Sequence, residues 1–181
     1  MKQTTHSLVL AALFAALCAV CSQIAIPLPM VPINLALFAV HLSGAILGVR
    51  YGFLSMLIYL ILGIVGVPVF QGLAAGPSIL LGPTGGYIIG YLAAAAVSGF
   101  ITSHFGHRFS TLCIGMGIGT ILCYTIGTIW FIIITKTGML QSLSICVIPF
   151  LPGDVIKIIL AAILAKRLYP VLLPKMYFTH G

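Results

Sequence analysis

The chain has 181 residues, 61% of them apolar and only 5% charged, against roughly 25% charged in soluble proteins, so a water-soluble fold is excluded. Asp154 is the single acidic side chain and there is no Glu, which removes paired-carboxylate catalysis and carboxylate metal cages. The net charge of +7 is eight Lys and Arg against one Asp, and apart from the adjacent Lys166 and Arg167 the cations are scattered singly along the chain, so no basic stripe for nucleic acid forms.

About 20 apolar residues cross ~30 Å of hydrocarbon, and the uncharged runs leave room for six such helices and little else. They are expected at residues 7–26, 33–48, 51–67, 86–105, 111–134 and 143–168, as one all-α membrane domain over residues 1–181. The first, behind Lys2, also looks like a signal peptide but is read as a permanent span. The second and third are divided only by Val49 and Arg50. As one helix they would reach ~52 Å at ~1.5 Å per residue, well beyond the bilayer, so a hairpin near Arg50 is expected.

Lys and Arg gather in cytoplasmic loops. With the N-terminus inside, that side holds Lys2, Arg50, Arg108, Lys166, Arg167 and Lys175, the outer loops hold Lys136, and Lys157 lies within the last span. Both termini are therefore expected in the cytoplasm.

The connection after the third span reads PVFQGLAAGPSILLGPTGG from Pro68 to Gly86. Its Pro and Gly content disfavours regular helix. Yet it is uncharged and carries Ile79, Leu80 and Leu81, so it should fold back on the helix ends, either covering a pocket or as a plain interfacial turn.

Asp154 calls for explanation, because an acid inside a span costs ~2.5–3.5 kcal/mol on insertion scales. Lys157 follows three positions on, the spacing that places both heads on one helix face. Pro149, Pro152 and Gly153 interrupt the helix just before, which puts Asp154 in the first turn of a renewed segment. Twelve residues separate it from Lys166, or ~18 Å of helix, so the pair should lie in the outer half of the bilayer, at the depth of the Gly-rich connection. It either caps and neutralises itself, or forms a binding site for a small molecule with polar edges and an oily body.

Other candidates are weaker. Cys18 and Cys21 form a C-x-x-C inside an apolar span with no companion ligands, and Cys113, Cys123 and Cys146 are dispersed, which suits helix packing better than zinc or redox chemistry. His104 and His107 flank Arg108 at a membrane boundary without a third ligand. Gly115, Gly117 and Gly119 sit within a hydrophobic span, so they are packing residues rather than a dinucleotide fingerprint. No metal or cofactor is expected. Ala11, Ala15 and Ala19 make a small-residue stripe, with Ala12 and Ala16 beside it. That stripe serves either internal packing or the docking of another membrane subunit. No Walker loop is present, so any ATP-driven step needs a separate ATPase.

The segments VPINLALFAVHLSGAILGVRYG, GIVGVPVFQG, LLGPTGGYIIGY and PFLPGDVIK resemble the BioY family, the biotin-binding substrate-specificity subunits of energy-coupling factor (ECF) transporters. The resemblance covers nearly the whole chain after its N-terminus and implies a six-helix membrane protein in a prokaryotic cell membrane. It implies biotin as ligand, and a transmembrane coupling subunit and two ABC-type ATPases as partners. Asp154 and Lys157 match the acidic and basic positions of PGDxxK and are expected to hold the biotin head group. Gln71, Tyr87, Gly85 and Gly86 are expected to line or cover the pocket, and the Ala11, Ala15, Ala19 stripe to meet the coupling subunit. Two positions depart from the family pattern: Ala36 stands where many relatives have Gln, and GLAAGPS where they have a denser glycine run. Rival readings are a subunit for another vitamin, an intramembrane enzyme, and a secondary carrier with Asp154 as its proton site. The enzyme reading lacks a base and an orienting acid that can be paired.

Overall fold

The computed structural model describes residues 2–26 and 33–173; Lys175 lies outside them, and the Lys2 side chain is not among those described. The described chain is almost wholly helical: α1 Lys2–Gln23, α2 Ala36–Val65, a short α3 Pro77–Leu81, α4 Gly85–Phe105, α5 Phe109–Thr135, α6 Met139–Cys146 and α7 Leu151–Leu172. A two-residue antiparallel ladder, β1 Ala25–Ile26 with β2 Ile33–Asn34, joins the end of α1 to the start of α2. Four helices, α1, α2, α4 and α5, are long and apolar enough to cross a membrane, and the α6–α7 pair, bent by 50°, gives a fifth candidate span.

The 30 residues of α2 are not a straight rod. Gly48 has φ 75° and ψ −173°, a conformation that only glycine adopts readily. An ideal Cβ on Gly52 would lie 2.8 Å from the Gly44 Cα, whereas eight residues of straight helix would separate these positions by ~12 Å. The chain therefore reverses at Gly48, and residues 36–47 and 49–65 run side by side. The expected hairpin is present, two residues earlier than Arg50, because glycine rather than the charge decides where the backbone can turn.

The last expected span, residues 143–168, is broken where expected, into α6 and α7, since Pro149 and Pro152 interrupt the backbone ladder. The Pro- and Gly-rich connection contains more helix than expected. Gln71–Leu73 forms a 3-10 turn, and α3 begins with Pro77 at its first position, where the missing N–H costs nothing.

α4 packs against both α2 and α5, while α1 lies on α2 and α7 on α2 and α5. Two apolar clusters result. The one at the end carrying the β ladder and the 66–84 connection, the loop end, is rich in aromatics: Tyr59, Phe70, Tyr87, Tyr91, Phe131 and Phe150. The one at the Gly48 end, the turn end, is mostly aliphatic, with Leu10, Leu42, Ile46, Leu112, Ala161 and Ala165. Ala11 and Ala15 are fully buried and Ala19 half-buried, so the stripe expected to dock a partner packs inside the protein. Small residues four apart permit close approach but do not say to which neighbour; the exposed alanines of α1 are Ala12 and Ala16.

Candidate functional site

The loop-end cluster is incompletely filled and encloses a cavity of about 250 Å³. The connection contributes Phe70, Gln71, Gly72, Ala74 and Ile79 to its wall, α4 contributes Tyr87, Ile88 and Tyr91, and α5 contributes Cys123 and Tyr124. Asn34, Leu37 and Tyr59 come from the N-terminal half, with Cys146, Phe150, Asp154 and Lys157 from the broken span. The wall is thus mainly aromatic and aliphatic with a few polar groups, the usual composition of a small-molecule site.

Asp154 stands in the first turn of α7, and its backbone N–H donates to the Phe150 carbonyl at 2.9 Å. The carboxylate does not cap the helix. Lys157 Nζ donates to Oδ1 at 2.9 Å, and the Tyr124 hydroxyl donates to Oδ2. The Asp154 side chain is 4% exposed and that of Lys157 12%. At such burial an unpaired charge would cost several kcal/mol, so each head group needs the other. The two face each other, as their spacing implies, and both also face the cavity.

Gln71 is held by Asn34, whose Nδ2 donates to Gln71 Oε1 at 3.0 Å, while Asn34 Oδ1 accepts the Ala36 N–H at the start of α2. Gln23, at the end of α1, fixes the same stretch of chain: its Nε2 donates to the Phe70 carbonyl and its Oε1 accepts the Leu73 N–H, both at 2.9 Å. Tyr87 lies in the wall, with its hydroxyl 3.1 Å from that of Thr128. Gly85 and Gly86 are outside the lining. A Cβ on Gly85 would overlap the Leu80 carbonyl, and one on Gly86 would lie 2.2 Å from Trp130 Cβ; both let α4 start in close contact with its neighbours. Trp130 in turn donates its indole N–H to the Gly82 carbonyl at 3.0 Å.

Nothing in the sequence singles out Tyr124, Asn34, Tyr91 or Phe150 as site residues. Tyr124 is thirty residues from Asp154 with no spacing rule between them, and the others read as ordinary apolar or turn residues. Cys123 and Cys146 lie in the wall, while Cys18 and Cys21 are buried in the same cluster as packing residues.

A second polar cluster lies between the two apolar clusters. His41 of α2 is fully buried, with Nδ1 3.0 Å from Ser98 Oγ of α4 and Nε2 2.9 Å from Thr120 Oγ1 of α5. It lines neither this cavity nor a second one at the turn end, bordered by Gly48, Thr102 and His107.

Comparison with known proteins bears on the family and the fold. The BioY family model matches residues 1–173. The probable biotin transporter BioY of Pyrococcus horikoshii is 40% identical over 168 residues, 93% of this chain and 98% of that protein. The biotin transporter BioY of Thermotoga maritima is 35% identical over 166 residues, 90% and 95% of the two chains. A crystal structure of the S-component for biotin from an ECF-type ABC transporter superposes with a TM-score of 0.86 at 30% identity, over 92% of each chain. With a family match over most of its length and near-complete coverage of these relatives, the chain belongs to the BioY family.

Proposed function

We propose that this chain is the membrane-embedded biotin-binding subunit of an ECF-type transporter, a transport protein rather than an enzyme. The observation that carries the reading is the Asp154–Lys157 pair facing a mainly aromatic and aliphatic cavity. Biotin's ureido ring offers N–H donors and a carbonyl acceptor, which a carboxylate and hydrogen-bond donors complement, while its ring sulfur and aliphatic chain suit apolar walls. The names of the similar proteins support the same ligand.

On this reading the chain crosses a prokaryotic cell membrane six times: α1, the two limbs of α2, α4, α5, and the broken α6–α7 span. Both termini face the cytoplasm, and the loop end, with its cavity, faces outside. The 66–84 connection covers the bound ligand, with Gln71 and Tyr87 beside Asp154 and Lys157. Gly85 and Gly86 support the site by setting the start of α4. A transmembrane coupling subunit and two ABC-type ATPases supply the energy. They engage a surface other than Ala11 and Ala15, which are buried.

Equilibrium binding of labelled biotin to the purified chain tests the proposal. Saturable binding at one site, displaced by unlabelled biotin and not by thiamin or riboflavin, is the expected result. Stabilisation by another vitamin without biotin binding would overturn it, and so would biotin uptake that follows a proton gradient and persists without ATPases.

A further inference from the structure

Asp154 has two oxygens, and the structure treats them differently. Oδ1 is committed to the Lys157 ammonium at 2.9 Å, an ion pair in apolar surroundings whose rupture would strand two buried charges. Oδ2 accepts from the Tyr124 hydroxyl, a neutral donor whose release strands no charge. Tyr124 belongs to the cavity wall. Its ring is set edge-to-face between two other wall residues, Tyr87 at 6.2 Å and 76° and Phe150 at 6.4 Å and 71°. The ring is therefore fixed, and only the hydroxyl hydrogen is free to choose its acceptor.

The edge of a cyclic urea presents N–H, C=O and N–H in sequence. The adjacent Oδ2 and Tyr124 O–H form an acceptor and a donor side by side, the complement of one N–H and the carbonyl. Resting on the biotin reading, we propose that Tyr124 is a specificity residue of this site: when a ureido N–H takes Asp154 Oδ2, the Tyr124 hydroxyl turns from the carboxylate to the ureido carbonyl. Each wall group stays paired in the exchange, the one bond between Tyr124 and Asp154 giving way to two with the ligand. Lys157 keeps Oδ1 throughout, so the carboxylate stays ionised and oriented. A ligand lacking a good acceptor at that edge leaves the hydroxyl without a partner, and such a mismatch is what discriminates between close analogues.

The test compares biotin with its analogue carrying C=S in place of the ureido C=O, sulfur being the poorer acceptor. Affinities of both are measured on the full chain, wild type and Tyr124→Phe. The wild type is expected to favour the carbonyl compound by about tenfold, one hydrogen bond's worth. In Tyr124→Phe the preference falls to within about twofold, chiefly through weaker biotin binding. A Tyr124 that only braced Asp154 would weaken both ligands alike and leave the ratio untouched, which overturns the proposal. Should Tyr124→Phe fail to fold, 3-fluorotyrosine at position 124 keeps the ring and strengthens the donor. The carbonyl preference must then rise, and an unchanged ratio is again fatal. Absence of any biotin binding by the wild type overturns the parent reading along with this one, whereas retained binding with an unaltered ratio overturns this one alone.

Discussion

Two of the polar clusters among the described residues, those of Asp154 and His41, are built from similar parts. At the loop end, Lys157 and the Tyr124 hydroxyl surround a carboxylate; between the two apolar clusters, the hydroxyls of Ser98 and Thr120 surround an imidazole. Each satisfies its central group from two sides, and each ties different helices together. They differ in what lies beside them. The Asp154 group borders a cavity of about 250 Å³ walled mainly by aromatic and aliphatic side chains, while His41 is fully buried and lines no cavity among the described residues. A buried polar residue is thus no evidence of a site until the space next to it is known.

The largest test of this contrast is Asp154→Asn. It removes the charge that Lys157 and the ligand share, and biotin affinity should fall by about 100-fold or more in a binding titration. His41→Ala should do the reverse. It removes two interhelical hydrogen bonds and leaves a void, lowering stability by about 2–4 kcal/mol in a denaturation experiment while the affinity of the folded protein stays as it was. Equal loss of affinity in both variants would erase the distinction between the two clusters. Gly86→Ala should cost about 1–3 kcal/mol of stability, since its new methyl meets Trp130; unchanged stability would mean that α4 and α5 can part at no cost.

The smallest effect concerns His107, between α4 and α5 at the turn end, whose Nε2–H donates to the Ala45 carbonyl at 2.9 Å and whose ring stacks on Tyr169. Burial lowers its pKa below the ordinary imidazole value, and the bond to Ala45 opposes that shift. With the folded pKa below the unfolded one, the unfolded chain takes up the proton first as pH falls. The contribution to stability is present above the ordinary value and is lost as pH falls from there toward the lower folded value. Melting temperature should dip slightly over that window, and the dip should vanish in His107→Phe.

Much of this was legible in the sequence because membrane helices are long and uniform. α1, the two limbs of α2, α4, α5 and the renewed start at Asp154 follow from run lengths and from proline and glycine placement, and the ion pair follows from a three-residue spacing on one helix. Contacts between helices were not legible. The Ala11, Ala15, Ala19 stripe has the period of a docking face, but which side of α1 faces α2 depends on packing that periodicity does not encode. Tyr124 has no local signature at all, since its meaning comes from the crossing of α5 and α7. The reversal at Gly48 rather than Arg50 shows the same limit on a smaller scale: charge marks the depth of a turn, and backbone freedom selects its residue.

The chain's one tryptophan, Trp130, holds its indole on the carbonyl of Gly82, in the 66–84 connection. Excited at the red edge of protein absorption, that indole is a fluorophore placed where the connection meets α5. Its emission maximum and quenching by iodide would follow displacement of this segment in real time, on unlabelled protein, and so time the admission of a substrate independently of how tightly it is retained.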